Sequence, residues 1–248
     1  MPEKSADIRP VGADLHFLPV TTRVPLKFGS ETLTSVDCAR VALRVEDRAG
    51  RAATGWGETP LSVQWVWPCS LPYDDRLRAL HAFCGVLCRE WAAFDCAGHP
   101  MEVGHAFLET RLPALLEEFN RARPAAAMPW LAALVCCSAF DIALHDAYGV
   151  LHGVPVYETY NADWMNADLS HFLTPAPDAA VCFGGRYPQD FLVRPAPDRL
   201  PVWHLVGGKD WIGPEEADAS APDDGYPFLL RDWIRRDGLK CLKVKLRG

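Results

Sequence analysis

The sequence predicts an α+β fold, a three-stranded antiparallel sheet followed by helices, and then the start of an α/β unit with parallel strands. Three observations carry this reading. Apolar and polar residues alternate through the first sixty positions, as in Val41, Leu43 and Val45 against Ala42, Arg44 and Glu46. From about residue 72 to residue 151 the apolar residues recur with helical spacing. A strand, a helix and a second strand then follow, with a tight turn at Gly238, and such a unit implies a parallel pair.

The first strand is expected within Leu15 to Leu26, where Pro19 and Pro25 suit an edge or a strand end. Lys27-Phe-Gly-Ser-Glu-Thr32 reads as a polar loop with one aromatic. The second strand runs from Thr34 to Val45, and Glu46 to Arg51 forms a hairpin loop with Gly50 where positive φ is needed. The third runs through Ala53 to Glu58. A helix begins near Pro72 to Asp75, since proline and acids suit a first turn. Its apolar stripe is Leu77, Leu80, Cys84, Leu87, Cys88 and Trp91, with His81 the polar exception. A second helical stretch spans Glu102 to Asn120 and breaks near Pro113. A third spans Pro129 to Leu151, apolar nearly all round, and is expected to be the most buried, with Gly149 and Gly153 marking its end.

Residues 160–199 are rich in Pro, Asp, Gly and Ala, and too long for an ordinary connection. The expected organisation is therefore residues 1–159 as the α+β domain, 160–199 as an insertion or interdomain passage, and 200–248 as the start of the α/β part. In that last part Leu200 to Val206 is a strand, Tyr226 to Asp237 a helix, and Gly238 to Gly248 a strand.

Composition narrows the function classes. The net charge of −7 argues against a general nucleic-acid binder. No run of 18 apolar residues is present, and the first residues lack the layout of a signal peptide. Nine scattered cysteines suit reduced thiols in a cytoplasmic protein. The expected partner is a small molecule, with no nucleic acid and no membrane.

The final strand carries the chemistry. Leu242, Val244 and Leu246 alternate with Lys243 and Lys245, so both lysines share one face. Each ammonium raises the cost of charging its neighbour, which suits a lysine acting as a general base. An exposed Lys-x-Lys that merely discourages edge pairing is the plain alternative. Three further groups compete. Asp141 and His145 are spaced for one helix face, where a buried structural hydrogen bond outweighs a metal pair lacking a third ligand. Cys84 with Cys88 and Cys136 with Cys137 suit small core residues better than zinc ligands. Trp56, Trp65 and Trp67 fit core and interface positions or the wall of a site. His204 shares a short strand with Trp203, and Gly207-Gly208-Lys209-Asp210 lacks the full spacing of a phosphate loop.

Five segments together resemble the enolase superfamily in its mandelate racemase and muconate-lactonizing enzyme branch. They are Arg23-Val-Pro-Leu-Lys-Phe-Gly29, Gly55-Trp-Gly-Glu58, Ser138-Ala-Phe-Asp-Ile-Ala-Leu-His-Asp-Ala-Tyr-Gly149, Gly153-Val-Pro-Val-Tyr157 and Gly238-Leu-Lys-Cys-Leu-Lys-Val-Lys245. The resemblance implies an α+β capping domain followed by the first two strands of an incomplete (β/α) TIM-type barrel. It implies a Mg2+-dependent isomerase or lyase that abstracts the proton α to a carboxylate: a racemase, epimerase, cycloisomerase or dehydratase. Lys245 would be the base and Lys243 its electrostatic partner, with Lys27, Phe28 and Ser30 in the loop that selects a small carboxylate substrate. The family's Mg2+ ligands lie on later strands, so no metal ligand is assigned here. The chain is thus expected to be an N-terminal part of a longer enzyme, inactive by itself, whose full-length form could be a homo-oligomer. The alternative is a non-catalytic α+β domain binding a small acid or a protein partner.

Overall fold

A computed structural model of the chain describes residues 4–28 and 31–245. They form two compact units: residues 1–18 with 37–192, and residues 19–36 with 193–248. This division does not follow the sequence boundaries at 160 and 200. Most of the long connection groups with the first unit, and the outer part of the first hairpin groups with the C-terminal residues.

Strands β1 (Ile8–Phe28), β2 (Glu31–Asp47) and β3 (Ala52–Pro60) form one sheet in the order β1-β2-β3. All three exceed the expected lengths, and β1 carries Pro10, Pro19 and Pro25 as an edge strand, where a missing N–H need cost no ladder bond. β2 and β3 pair antiparallel, with Val41 opposite Gly57 and Leu43 opposite Gly55. The turn between them is held by Asp47, whose Oδ1 accepts from Ala49 N and Arg51 N, both at 2.9 Å, while Gly50 takes φ 79°.

The helices of the first unit are α1 (Val63–Val66), α2 (Tyr73–Ala92), α3 (Pro100–Thr110), α4 (Leu112–Arg121) and α5 (Trp130–His152). α2 starts after Pro72 with Asp74 and Asp75 in its first turn, as expected. His81, its polar exception, stacks on Phe17 at 3.9 Å and lies 3.1 Å from the Asp37 carboxylate. The second helical stretch breaks at Arg111, just before Pro113, and starts earlier than expected, at Pro100. His99 supplies the missing cap. Its Nδ1 accepts from Met101 N at 3.3 Å, and Glu102 Oε2 accepts from His99 N at 3.0 Å.

α5 is the centre of this unit. Ala139, Ala143 and Ala147 lie four residues apart on one face. Against them pack Gly55 and Gly57 of β3, so closely that an added Cβ would fall 2.0 Å from Ala147 N or Ala139 O. The strand's outer edge is satisfied from the same helix, since Trp56 N donates to Asp146 Oδ2 at 2.8 Å. The core continues through Trp91, which stacks on Phe107 at 4.1 Å and lies parallel to Phe140 at 6.4 Å. As expected of the most buried helix, α5 carries more buried residues than any other helix among the described residues, though not on every side. Trp130, Leu131, Ile142 and Val150 are exposed, and burial follows the alanine, phenylalanine and cysteine face. α5 is long and apolar enough to cross a membrane by length and composition, but half of its most apolar window is buried in the protein.

Residues 160–192 fold back onto this unit. Asn166 is the pin: its N and Nδ2 donate to Glu102 at 2.6 and 2.8 Å, and Nδ2 donates to Asp7 Oδ1 at 2.8 Å.

The second unit holds β4 (Trp203–Val206), α6 (Leu230–Asp237) and β5 (Cys241–Val244), with β4 and β5 parallel. β4 begins only after Pro201 and Val202. α6 begins four residues later than the expected Tyr226, because tertiary bonds hold the preceding residues: Leu230 N donates to Trp211 O at 2.9 Å, and Leu229 bridges Trp211. Gly238 ends the helix at φ 62°.

Candidate functional site

The site predicted from sequence lies at the C-terminal ends of β4 and β5. Leu205 pairs with Lys243 and Val206 with Val244, and Lys245 N continues the ladder by donating to Val206 O at 2.9 Å. The His204 ring lies 5.6 Å from the Trp233 ring of α6. His204, Val206, Leu242 and Val244 therefore face that helix, and alternation puts Leu205, Lys243 and Lys245 on the opposite face. Lys243 is exposed and Lys245 half-buried. The expected sharing of one face by the two lysines follows from this register, although β5 itself ends at Val244 and Leu246, Arg247 and Gly248 lie outside the described residues.

Beyond Val206 the chain turns sharply. Gly207 N donates to Asp210 Oδ2 at 2.8 Å, and a Cβ on Gly207 would come 2.9 Å from Asp210 Oδ1 and 3.4 Å from Leu26 Cδ1. Gly208 N donates to Lys27 O at 3.5 Å. The structure thus brings the backbone of Lys27 beside the turn that follows Val206, Lys245's hydrogen-bond partner. Ser30 lies outside the described residues, as does the side chain of Phe28.

Arg23 is the residue that sequence reasoning missed. Its guanidinium donates to Asp224 through Nε at 2.6 Å and Nη2 at 2.7 Å, to Tyr226 O at 3.0 Å and to Pro227 O at 3.0 Å. This fork holds Asp224 at about 2, well below the usual carboxylate range, and raises Arg23 in return. The partners lie 201 residues apart, so spacing carried no signal.

The same unit contains an open cleft of about 880 Å³ walled by His204, Trp211, Phe228 and Trp233, with Lys209 and Asp210 at its side. It includes residues of the sheet face that meets α6. Lys243 and Lys245 do not line it.

The competing candidates belong to the first unit. Asp141 and His145 share a face of α5. Burial pushes the Asp141 carboxyl up and the His145 imidazole down, each opposed by the other's charge. His145 Nδ1 pairs with Tyr160 OH at 2.9 Å, and Asp141 Oδ1 fills the space over Gly104, where a Cβ would come within 2.3 Å. These are packing roles. Cys84, Cys136 and Cys137 are buried, and burial pushes the Cys137 thiol up to about 12. Trp67 is buried, while Trp56 and Trp65 are exposed. Among the described residues no group of three or more His, Cys, Asp or Glu side chains could hold a metal ion, so the residues present do not make a magnesium site.

No family model and no curated protein matches the chain. Solved structures do. A dipeptide epimerase from Methylococcus capsulatus, complexed with Mg and the dipeptide L-Arg-D-Lys, is 19% identical with a TM-score of 0.46, over 97% of this chain and 46% of that one. A putative mandelate racemase/muconate-lactonizing enzyme from Roseovarius nubinhibens, complexed with magnesium, is 14% identical with a TM-score of 0.44, over 97% and 45%. An enolase from Bradyrhizobium, complexed with magnesium and mandelic acid, is 17% identical with a TM-score of 0.38, over 61% and 34%. The chain spans between about a third and just under half of these proteins. At such identities the likeness transfers no activity.

Proposed function

We propose that this chain contributes the general base and part of the substrate-binding surface of an enzyme that removes the proton α to a carboxylate. The observation that carries the reading is the placement of Lys243 and Lys245 on one face at the end of a parallel strand, with Lys245 N bonded to the strand end that runs into the Gly207–Gly208 turn beside Lys27.

In the proposed step Lys245, as the neutral amine, accepts the Cα proton of a small carboxylate. The electron pair of the C–H bond moves into the carboxylate and gives an enediolate. The Lys243 and Lys27 ammonium groups oppose the added negative charge. Racemisation, epimerisation, cycloisomerisation or elimination then depends on where the proton returns or which group leaves. Magnesium, which the sequence resemblance implies, finds no ligand cluster among the described residues. For the same reason the chain alone is expected not to turn over.

Two measurements test this. Malonate, a small dicarboxylate, is titrated into protein labelled at the lysine side chains. Lys27, Lys243 and Lys245 should respond together with one dissociation constant, and Lys243→Ala, which removes an ammonium, should weaken binding about tenfold, as for the loss of one charge-assisted contact. A response spread over unrelated lysines, or none, removes the site. Separately, mandelate is incubated with the chain and Mg2+ in D2O. Deuterium entering Cα above the solvent rate, and lost in Lys245→Ala, would establish the base while refuting the expected inactivity.

A further inference from the structure

Arg23 stands at the base of the segment that leads to Lys27, and its guanidinium makes four hydrogen bonds. One guanidinium fork takes both carboxylate oxygens of Asp224 and the carbonyls of Tyr226 and Pro227, at 2.6 to 3.0 Å. Four bonds from one rigid plane fix direction as well as distance, which an ammonium cannot do. The residues so held lead directly into Leu229 and Leu230, which are bonded to Trp211, in the connection that begins at the Gly207–Asp210 turn. Four residues along from Arg23, Lys27 O meets Gly208 N, and Leu26 Cδ1 lies against Gly207. The hairpin is therefore tied to the β4–α6 connection at two points, one strong and ionic, the other a single long hydrogen bond of 3.5 Å. The weak tie carries the proposed substrate group, and the strong one sets where it can sit.

We propose that Arg23 is the positioning residue of the site: its fork on residues 224–227 sets the place of Lys27 against the ends of β4 and β5. This rests on the proposed role of Lys27 in binding a carboxylate. Val24, Pro25 and Leu26 between them offer no polar side chain, so Arg23 is the only side-chain hydrogen-bonding anchor within this segment before Lys27.

The test is hydrogen–deuterium exchange on the full chain carrying Arg23→Gln. Amides of Leu26, Lys27 and Gly208 should exchange about tenfold faster, together with Tyr226 and Phe228, while β3 and α5 stay unchanged and report an intact first unit. Acceleration at Tyr226 and Phe228 alone would make Arg23 a local staple and overturn the proposal, as would no change at all. Arg23→Lys should restore only part of the protection, because the charge returns without the fork. Should Arg23→Gln fail to fold, Asp224→Asn keeps both carbonyl acceptors and should give the same pattern more weakly. Malonate titration separates the two ideas. Affinity falling about fivefold in Arg23→Gln, with the same lysines responding, supports positioning. Absence of malonate binding in the unaltered protein defeats the carboxylate reading, and the exchange pattern then still decides whether Arg23 sets Lys27.

Discussion

The two units solve the same problem by different physics. The first buries strand against helix with no side chain between them: Gly55 and Gly57 lie directly on Ala139, Ala143 and Ala147, and the strand's free N–H finds Asp146. The second has an eight-residue α6 with no buried residue, a parallel pair with Trp203 and Val244 exposed, and a surface ion fork at Arg23. Close packing cannot be adjusted, because interiors lose contacts steeply with small displacements. A forked ion pair can open and close. The difference places rigidity in the first unit and the candidate chemistry in the second, where loops and strand ends can respond to a ligand.

The sharpest way to break this comparison is Gly57→Ala. The new methyl would lie 2.0 Å from Ala139 O and 2.6 Å from Ala143 N, both backbone atoms that cannot rotate away. Stability of the first unit should fall by about 3 kcal/mol or more, beyond ordinary overpacking. Urea unfolding followed at Trp91, which lies in that core, measures it. A loss under 1 kcal/mol would show that β3 can lift from α5 and that the packing is not rigid.

Acid should separate the units next. Burial above all, with added repulsion from His145, Lys4 and His152, holds His99 at about 3, far below the usual imidazole value of about 6.5. The unfolded chain takes up this proton near 6.5 and the folded chain only near 3, so the neutral, buried form is fully stabilising above 6.5. Stability falls as pH drops from about 6.5 to about 3, by up to about 1.4 kcal/mol per unit. His99 Nδ1 accepts from Met101 N, which leaves Nε2–H to donate to Thr159 Oγ1 at 3.0 Å, so protonation breaks the α3 cap. Asp224, depressed to about 2 by Arg23, works in another window: its contribution is full above about 4 and is lost on the way to 2. Exchange rates followed through an acid titration should therefore rise first in α3 and only later around residues 224–227. The reverse order would mean that the fork, not the buried histidine, is the more acid-sensitive device.

Much of this was legible in the chain, for a physical reason. Alternation in β2, acids after Pro72 and glycine after α5 are local signals, and local geometry honours them. The errors are those of tertiary origin. α6 starts late because Trp211 and Arg23 hold the residues before it, and α3 starts early because His99, not a common cap residue, closes its N-terminus. At the candidate site, the pairing of Lys243 and Lys245 on one face followed from strand alternation. Which face that is could be learned only from His204 resting on Trp233. Arg23 was visible as part of a motif but had no partner until the fold supplied Asp224.

The smallest effect gives the most controlled comparison, because each unit carries the same device. Gly153 ends α5 at φ 67° and Gly238 ends α6 at φ 62°, and in both cases nothing lies within 4 Å of where a Cβ would stand. Alanine at either position therefore meets no clash and costs only the left-handed backbone, about 1 kcal/mol. The intrinsic penalty is equal, so any difference in outcome reads the host. In the first unit, α5 is held by β3 at Ala139, Ala143 and Ala147 and by its buried face, and Gly153→Ala should lower the unfolding midpoint without changing helix content. In the second, α6 has eight residues and no buried side chain to hold it, so the same penalty in Gly238→Ala should fray the helix at room temperature. Circular dichroism of the two variants at matched temperature would then show lost helicity in the second alone. Equal helix loss would mean that α6 is anchored as firmly as α5, and that the contrast between a rigid unit and a responsive one does not extend to the helix beside the lysine strand.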